Sequence, residues 1–178
     1  EGQQKLVSEL AKTGKPVIAL VMCGRPVIFN EIREHADAVL CTWWLGSEAG
    51  NAICNVLWGE YNPSAKLPMT FPAHVGQIPI YYQNKSTGRP TALKQTYKAS
   101  YIDASTEPAY PFGYGLSYTD FGYSDLKLLP GKAAGVHTEV SVKVTNTGKC
   151  AGEEVVQLYV QDKVASVTRP IKELKGFR

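Results

Sequence analysis

The sequence predicts a partial α/β sandwich domain with parallel strands, followed by a partial antiparallel β-sandwich. Three observations predict it. Ala38 to Leu57 reads as an apolar strand, a tight turn and an amphipathic helix. The segment before it resembles a first copy of that unit. From Phe121 onward the apolar period changes from helical to two. The chain divides accordingly into residues 1–109, an aromatic and glycine-rich linker over 110–122, and a truncated β domain over 123–178.

The elements follow in order. Glu1 to Thr13 carries a helical stripe of Leu6, Val7, Leu10 and Ala11, closed by Gly14. Pro16 to Met22 reads as a buried strand, Gly24-Arg25-Pro26 as a turn, and Ile32 to His35 as a short helix. Ala38 to Trp44 is almost wholly apolar, as expected of a strand covered on both faces. Ala49, Ala52, Ile53, Val56 and Leu57 then form the stripe of a helix with one buried face. Ser47 suits its N-cap, Glu48 its first turn, and Gly59 its end. Alternating helices and strands with short turns imply βαβ units. Two strands are too few for a free-standing doubly wound sheet, so further strands are expected later in the chain or ahead of Glu1.

Lys66 to Pro72 is extended, and its prolines make it a sheet edge or a non-strand. Gln83 to Thr106 is polar and reads as a long surface loop, with Tyr97 and Tyr101 as its aromatics. Tyr110 to Tyr118 suits a rigid hinge better than a core element. In the last third, Val140, Val142 and Val144 alternate with Glu139, Ser141, Lys143 and Thr145. Asn146 to Lys149 turns the chain. Val156, Leu158 and Val160 alternate again, with Tyr159 on the opposite face. An immunoglobulin-like sandwich needs about 100 residues and about seven strands, and fewer remain here.

Composition excludes several function classes. The net charge is +3 over 178 residues, with the charges scattered. There is no Lys/Arg stripe for nucleic acid and no basic amphipathic helix for a membrane surface. No apolar run approaches the ~20 residues of a spanning helix. The chain opens on Glu1 without a signal-peptide pattern, so its compartment is not read directly. Cys23, Cys41, Cys54 and Cys150 form no C-x-x-C pair, and no histidine stands at metal-ligand spacing. They read as buried free thiols packed like small hydrophobes, though Cys54 could also face Cys41 across the turn.

The turn Gly46-Ser47-Glu48-Ala49-Gly50 is the candidate site. It is not a nucleophile elbow, because Ser47 follows Gly46 directly and no His/Asp partner is evident. It is not a phosphate cradle, because Glu48 places a negative charge where the anion would sit. Glu48 has two readings. It stabilises the helix dipole, or it faces a ligand at the carboxyl end of a parallel strand. Trp43 and Trp44 can stack on a sugar ring, or pack one in the core and one on a neighbouring domain. His35, His74 and His137 stand isolated. Glu31, Glu34 and Asp37 read as a solvated helix face, and Glu153-Glu154 as solvated.

Several segments together resemble glycoside hydrolase family 3. They include Lys15 to Ile18, Gly24 to Pro26, Ala36 to Leu40, Trp44 to Ala52, Val56 to Pro72, Tyr110 to Thr119, Val144 to Gly148, Glu154 to Tyr159 and Ser166 to Phe177. Gln77 to Tyr82 and Thr87 to Pro90 are most similar to the bacterial periplasmic β-glucosidases of that family. The resemblance implies an N-terminal (β/α)8-type barrel, an α/β sandwich domain and a fibronectin type III-like domain. It implies a retaining exo-glycosidase acting on β-linked glucosides or xylosides, periplasmic or secreted, with no metal or other cofactor. The family's nucleophilic Asp lies on the barrel and its usual acid/base Glu lies upstream of Glu1, so no catalytic residue is assigned here. Glu48 matches a recurring family position beside the cleft, and Trp43 and Trp44 are its neighbours in substrate binding. The expected partners are a β-glucoside or oligosaccharide, the barrel, and a second copy in a homo-oligomer, with an apolar face around Trp43, Trp44 or Tyr81 left exposed. A non-catalytic carbohydrate-binding or interaction module is the alternative.

Overall fold

The computed structural model describes residues 2–89, 99–129 and 138–178. The α/β part runs α1 (Gly2–Ala11), β1 (Ile18–Val21), α2 (Asn30–His35), β2 (Ala38–Cys41) and α3 (Ala49–Leu57). The β part contains β3 (Phe121–Leu129), β4 (Glu139–Asn146), β5 (Gln157–Val160) and β6 (Glu173–Phe177). An α/β unit followed by antiparallel β structure is thus what the periodicity predicts.

β1 and β2 pair in parallel, with Ile18 opposite Ala38 and Val21 opposite Cys41. Asp37 sets this register. Its carboxylate accepts the Val17 N–H at 2.7 Å, and its own N–H donates to the Val17 carbonyl at 2.9 Å. Asp37 is therefore not part of a solvated helix face. α2 ends at His35, and Ala36 turns extended at φ −90° and ψ 139°. Glu31 remains on the helix surface beside His35, at 3.5 Å.

Gly14 and Gly59 end α1 and α3 at φ 70° and 78°, the left-handed region where a side chain is strained. Ser47 does not cap α3. Glu48 occupies the N-cap, makes no capping hydrogen bond, and instead accepts the Asn51 side-chain amide at 2.7 Å. At the other end Tyr118 donates its hydroxyl to the Val56 carbonyl at 2.8 Å. That bond satisfies one of the last-turn carbonyls.

The strands are not covered on both faces. Ala19 is buried, while Ile18, Leu20 and Met22 are exposed. The predicted stripe of α3 is half-buried at Ala49, Ile53, Val56 and Leu57, and exposed at Ala52. The physical reason is the sheet's size. Among the described residues it has two strands, and no later segment joins it. The accessible surface is 13521 Å², where a compact monomer of this mass would expose about 8,500 Å².

What core there is centres on Phe71, 1 % exposed. Phe29 and Trp43 meet it edge-on, with ring centroids at 5.8 and 5.7 Å. Tyr110 stacks on Phe29 at 5.9 Å, and Tyr114 lies 5.1 Å beyond it. The segment read as a hinge is a packed element. Leu67 and Phe71 donate their N–H groups to Tyr114 and Tyr110, each at 2.8 Å, and Gly113 donates back to Leu67 at 2.8 Å. Gly113 has φ 80°, and a Cβ there would strike the Gln157 side chain. The glycines let the aromatic segment lie flat while its rings enter two clusters. In the second, Tyr82 stacks on Phe112 at 4.3 Å and meets Tyr159 edge-on at 6.0 Å.

Polar side chains fasten the α/β part to the linker and to the β part. The Asn62 amide donates to Ser117 Oγ at 2.8 Å and accepts the Tyr118 N–H at 2.7 Å. Lys66 Nζ lies 3.0 Å from Glu154, the two side chains being 13 % and 16 % exposed. Tyr123 donates its hydroxyl to the same carboxylate at 2.9 Å. Glu154 is therefore not solvated, although Glu153 beside it is exposed and accepts the Tyr61 hydroxyl at 3.3 Å. Burial, and then the Glu154 carboxylate, push the Tyr123 phenol up to about 12.

In the β part, β3 and β4 pair antiparallel around an irregularity between Ser124 and Lys127. Asp125 sits within it at φ 54°. Val140, Val142 and Val144 are half-buried and their neighbours exposed, as the alternation predicts. Asn146 holds the following turn, accepting the Gly148 N–H at 3.0 Å and donating to the Cys150 carbonyl at 2.8 Å. β5 and β6 depart from the simple pattern. Their register shifts between Leu158 and Tyr159, with Lys175 of β6 left out of the pairing; Tyr159 is half-buried and Val160 exposed.

Candidate functional site

The turn from Thr42 to Ala49 leaves the carboxyl end of β2, where open α/β sheets present ligand-binding groups. Thr42 is buried and extends the ladder, donating its N–H to the Val21 carbonyl at 3.0 Å. Trp43 then adopts φ 54°, a conformation uncommon for a bulky residue. This reversal sends the two indoles apart. Trp43 is half-buried against Phe71. Trp44 is 82 % exposed. Its ring lies against the turn after β1, where a Cβ on Gly24 would come within 3.3 Å of the indole. The two readings of the tryptophan pair thus separate: Trp43 belongs to the core cluster, and Trp44 offers a free aromatic face.

Glu48 is exposed at the start of α3. Asn51, one turn on, donates to one carboxylate oxygen at 2.7 Å and fixes the group's direction. Among the described residues its other carboxylate oxygen accepts no hydrogen bond. Cys41, on the strand leading to this turn, has its thiol pushed up to about 11. Burial is the main cause, opposed by the Trp43 N–H and reinforced by the neighbouring Cys23 thiol. Cys41 therefore neighbours Cys23, not Cys54 across the turn. All four cysteines are free thiols, but the expected burial fails for two of them: Cys23 and Cys41 are half-buried, Cys54 and Cys150 exposed.

The isolated histidines are structural where they are described. His74 meets the Tyr101 ring edge-on at 4.9 Å and lies 3.4 Å from the Ser105 carbonyl. His137 and Tyr97 lie outside the described residues. Nearby, Gln77 is 4 % exposed and donates to the carbonyls of Ser105 and Glu107 at 3.1 and 3.0 Å. It pins the end of the long polar loop, a role that a lone glutamine in sequence does not announce. Among the described residues no cluster of three or more His, Cys, Asp or Glu is placed to hold a metal.

An open groove of about 710 Å³ lies elsewhere, lined by Ser86, Asp162, Lys163, Arg169, Pro170 and Ile171 among others. It shares no residue with the Trp43–Glu48 turn and has no aromatic ring in its lining. It offers a sugar no stacking platform.

Comparison with known proteins identifies relatives of this chain. Residues 1–118 match the glycosyl hydrolase family 3 C-terminal domain, and residues 154–178 match a fibronectin type III-like domain. The periplasmic β-glucosidase of Salmonella typhimurium is 49% identical, the match covering 99% of this chain and 24% of that protein. A β-xylosidase of Formosa agariphila is 48% identical, covering 99% of this chain and 24% of its own length. The crystal structure of a β-glucosidase from Listeria innocua in complex with glucose superposes with a TM-score of 0.94 at 42% identity, over 100% of this chain and 25% of that one. The chain thus spans about a quarter of the length of the curated relatives it matches. With a family domain matched over two-thirds of its length, and α/β and antiparallel parts in the matching order, the chain belongs to glycosyl hydrolase family 3.

Proposed function

We propose that the chain is the C-terminal part of a retaining exo-β-glycosidase that releases terminal β-linked glucose, or xylose, from oligosaccharides. The single observation that carries this reading is the turn after β2. It presents an exposed indole, Trp44, and an oriented carboxylate, Glu48, at the carboxyl end of a parallel strand. Those are the groups a sugar ring needs, an apolar face to stack on and an acceptor for its hydroxyls. The names of the Salmonella and Formosa relatives support the β-glucoside or β-xyloside class. Trp43 supports the turn from beneath. The nucleophile, on a barrel that closes the cleft over Trp44, and the acid/base, in the α/β domain upstream of Glu1, belong to the part of the enzyme outside residues 1–178. The periplasmic relative supports a periplasmic or secreted location. The division at 109 and 122 is also part of the proposal, with the Tyr110–Tyr114 strap and the Lys66–Glu154 pair as the join.

Titration with glucose, cellobiose and xylobiose tests the reading. A sugar site buries most of its ligand, and one wall does not. We expect no saturable heat or change in tryptophan emission with any of the three up to millimolar sugar. Saturable binding of cellobiose by residues 1–178 alone would instead identify a self-sufficient carbohydrate-binding module.

The same proposal predicts association. Trp44, Tyr81, Leu20 and Met22 are exposed, and large exposed apolar side chains favour self-association. Multi-angle light scattering is expected to give a concentration-dependent mass above the monomer, with binding of a hydrophobic dye. A single monomeric species that binds no dye would count against it.

A further inference from the structure

β1 and β2 run side by side, and their register carries past the last ladder pair. Val21 is opposite Cys41, and the Thr42 N–H bonds to the Val21 carbonyl. Cys23 is two residues beyond Val21. In extended chain that returns its side chain to the face shared by Val21 and Cys41. Both thiols are half-buried on that face, while Cys54 and Cys150 are exposed elsewhere. Gly24, next in sequence, carries the Trp44 ring, so the turn after β1 is already held over the end of β2.

We propose that Cys23 and Cys41 are a redox pair, closed to an intramolecular disulfide by a low-molecular-weight disulfide such as oxidised glutathione. One protein thiol, as its thiolate, attacks the glutathione disulfide and displaces one glutathione, leaving a mixed disulfide. The second protein thiolate attacks the protein sulfur of that mixed disulfide and displaces the other glutathione. Two protein thiols are oxidised by two electrons with loss of two protons, and one glutathione disulfide is reduced to two thiols. The new bond ties the turn after β1 to the end of β2, beneath Trp44. The inference is independent of the glycosidase reading.

The test incubates the protein with oxidised glutathione, blocks free thiols with N-ethylmaleimide and maps the peptides by mass spectrometry. The expected result is a Cys23–Cys41 cross-link in about tenfold excess over any other cysteine pair, with glutathione adducts confined to Cys54 and Cys150. The cross-link is reversed by dithiothreitol, absent in Cys23→Ser, and retained in the double variant Cys54→Ser/Cys150→Ser, whose changes lie at exposed positions. Three results would each overturn the proposal. They are stable glutathione adducts on Cys23 or Cys41, recovery of both as free thiols while Cys54 and Cys150 react, and cross-links that pair either with Cys54 or Cys150.

Discussion

Purified polypeptide 1–178 will hydrolyse an aryl β-glucoside no faster than buffer, and Glu48→Gln will leave that background unchanged. Retaining hydrolysis divides its work between two carboxyl groups about 5–5.5 Å apart across the scissile bond. One forms the glycosyl-enzyme bond, and the other protonates the leaving oxygen and later activates water. The candidate turn offers one carboxylate, and Asn51 holds it as an acceptor. General acid–base catalysis alone is worth about 10²–10⁴ in rate, and the covalent step adds to that. A lone acceptor at a helix start supplies neither. The assay is the release of nitrophenol from nitrophenyl β-glucoside and β-xyloside. Turnover by pure protein that disappears in Glu48→Gln would refute the proposal, since it would make Glu48 a reacting group.

Phe71→Ala is expected to be the most damaging single substitution in the chain. Phe71 is 1 % exposed, and Phe29 and Trp43 both pack on its ring. Its backbone also pairs with Tyr110. Removing a buried aromatic ring costs about 3–5 kcal/mol through lost burial and the cavity left behind. For a chain of this size that corresponds to a fall in Tm of roughly 6–20 °C. Trp44→Ala removes a larger side chain from an 82 % exposed position and should shift stability by less than about 0.5 kcal/mol. Thermal melts followed by circular dichroism compare the two. Equal losses would mean that the Phe71 cluster is not the core of this unit.

The contrast between those tryptophan and phenylalanine positions marks where sequence reading stops. Trp43 and Trp44 are chemically identical neighbours, and periodicity assigns them no difference. The positive φ at Trp43 separates them, and the Trp43 ring packs on Phe71, a residue distant in sequence. Asp37 shows the same limit. Its i, i+3, i+6 spacing with Glu31 and Glu34 reads as a helix face until the helix ends at His35. Glu154 reads as solvated because its partners, Lys66 and Tyr123, are remote in sequence.

The chain by itself determined the succession of elements, the strand–turn–helix from Ala38 to Leu57, the change of period at Phe121 and the family resemblance. These are local or linear properties, written in spacing, glycine position and apolar alternation. Only the tertiary structure decided which tryptophan is free, which carboxylates are held, which thiols are neighbours, and that Tyr110–Tyr114 is a packed strap. Each of these depends on segments distant in sequence meeting in space, and on bulges and left-handed residues that redirect a side chain without leaving a periodic trace.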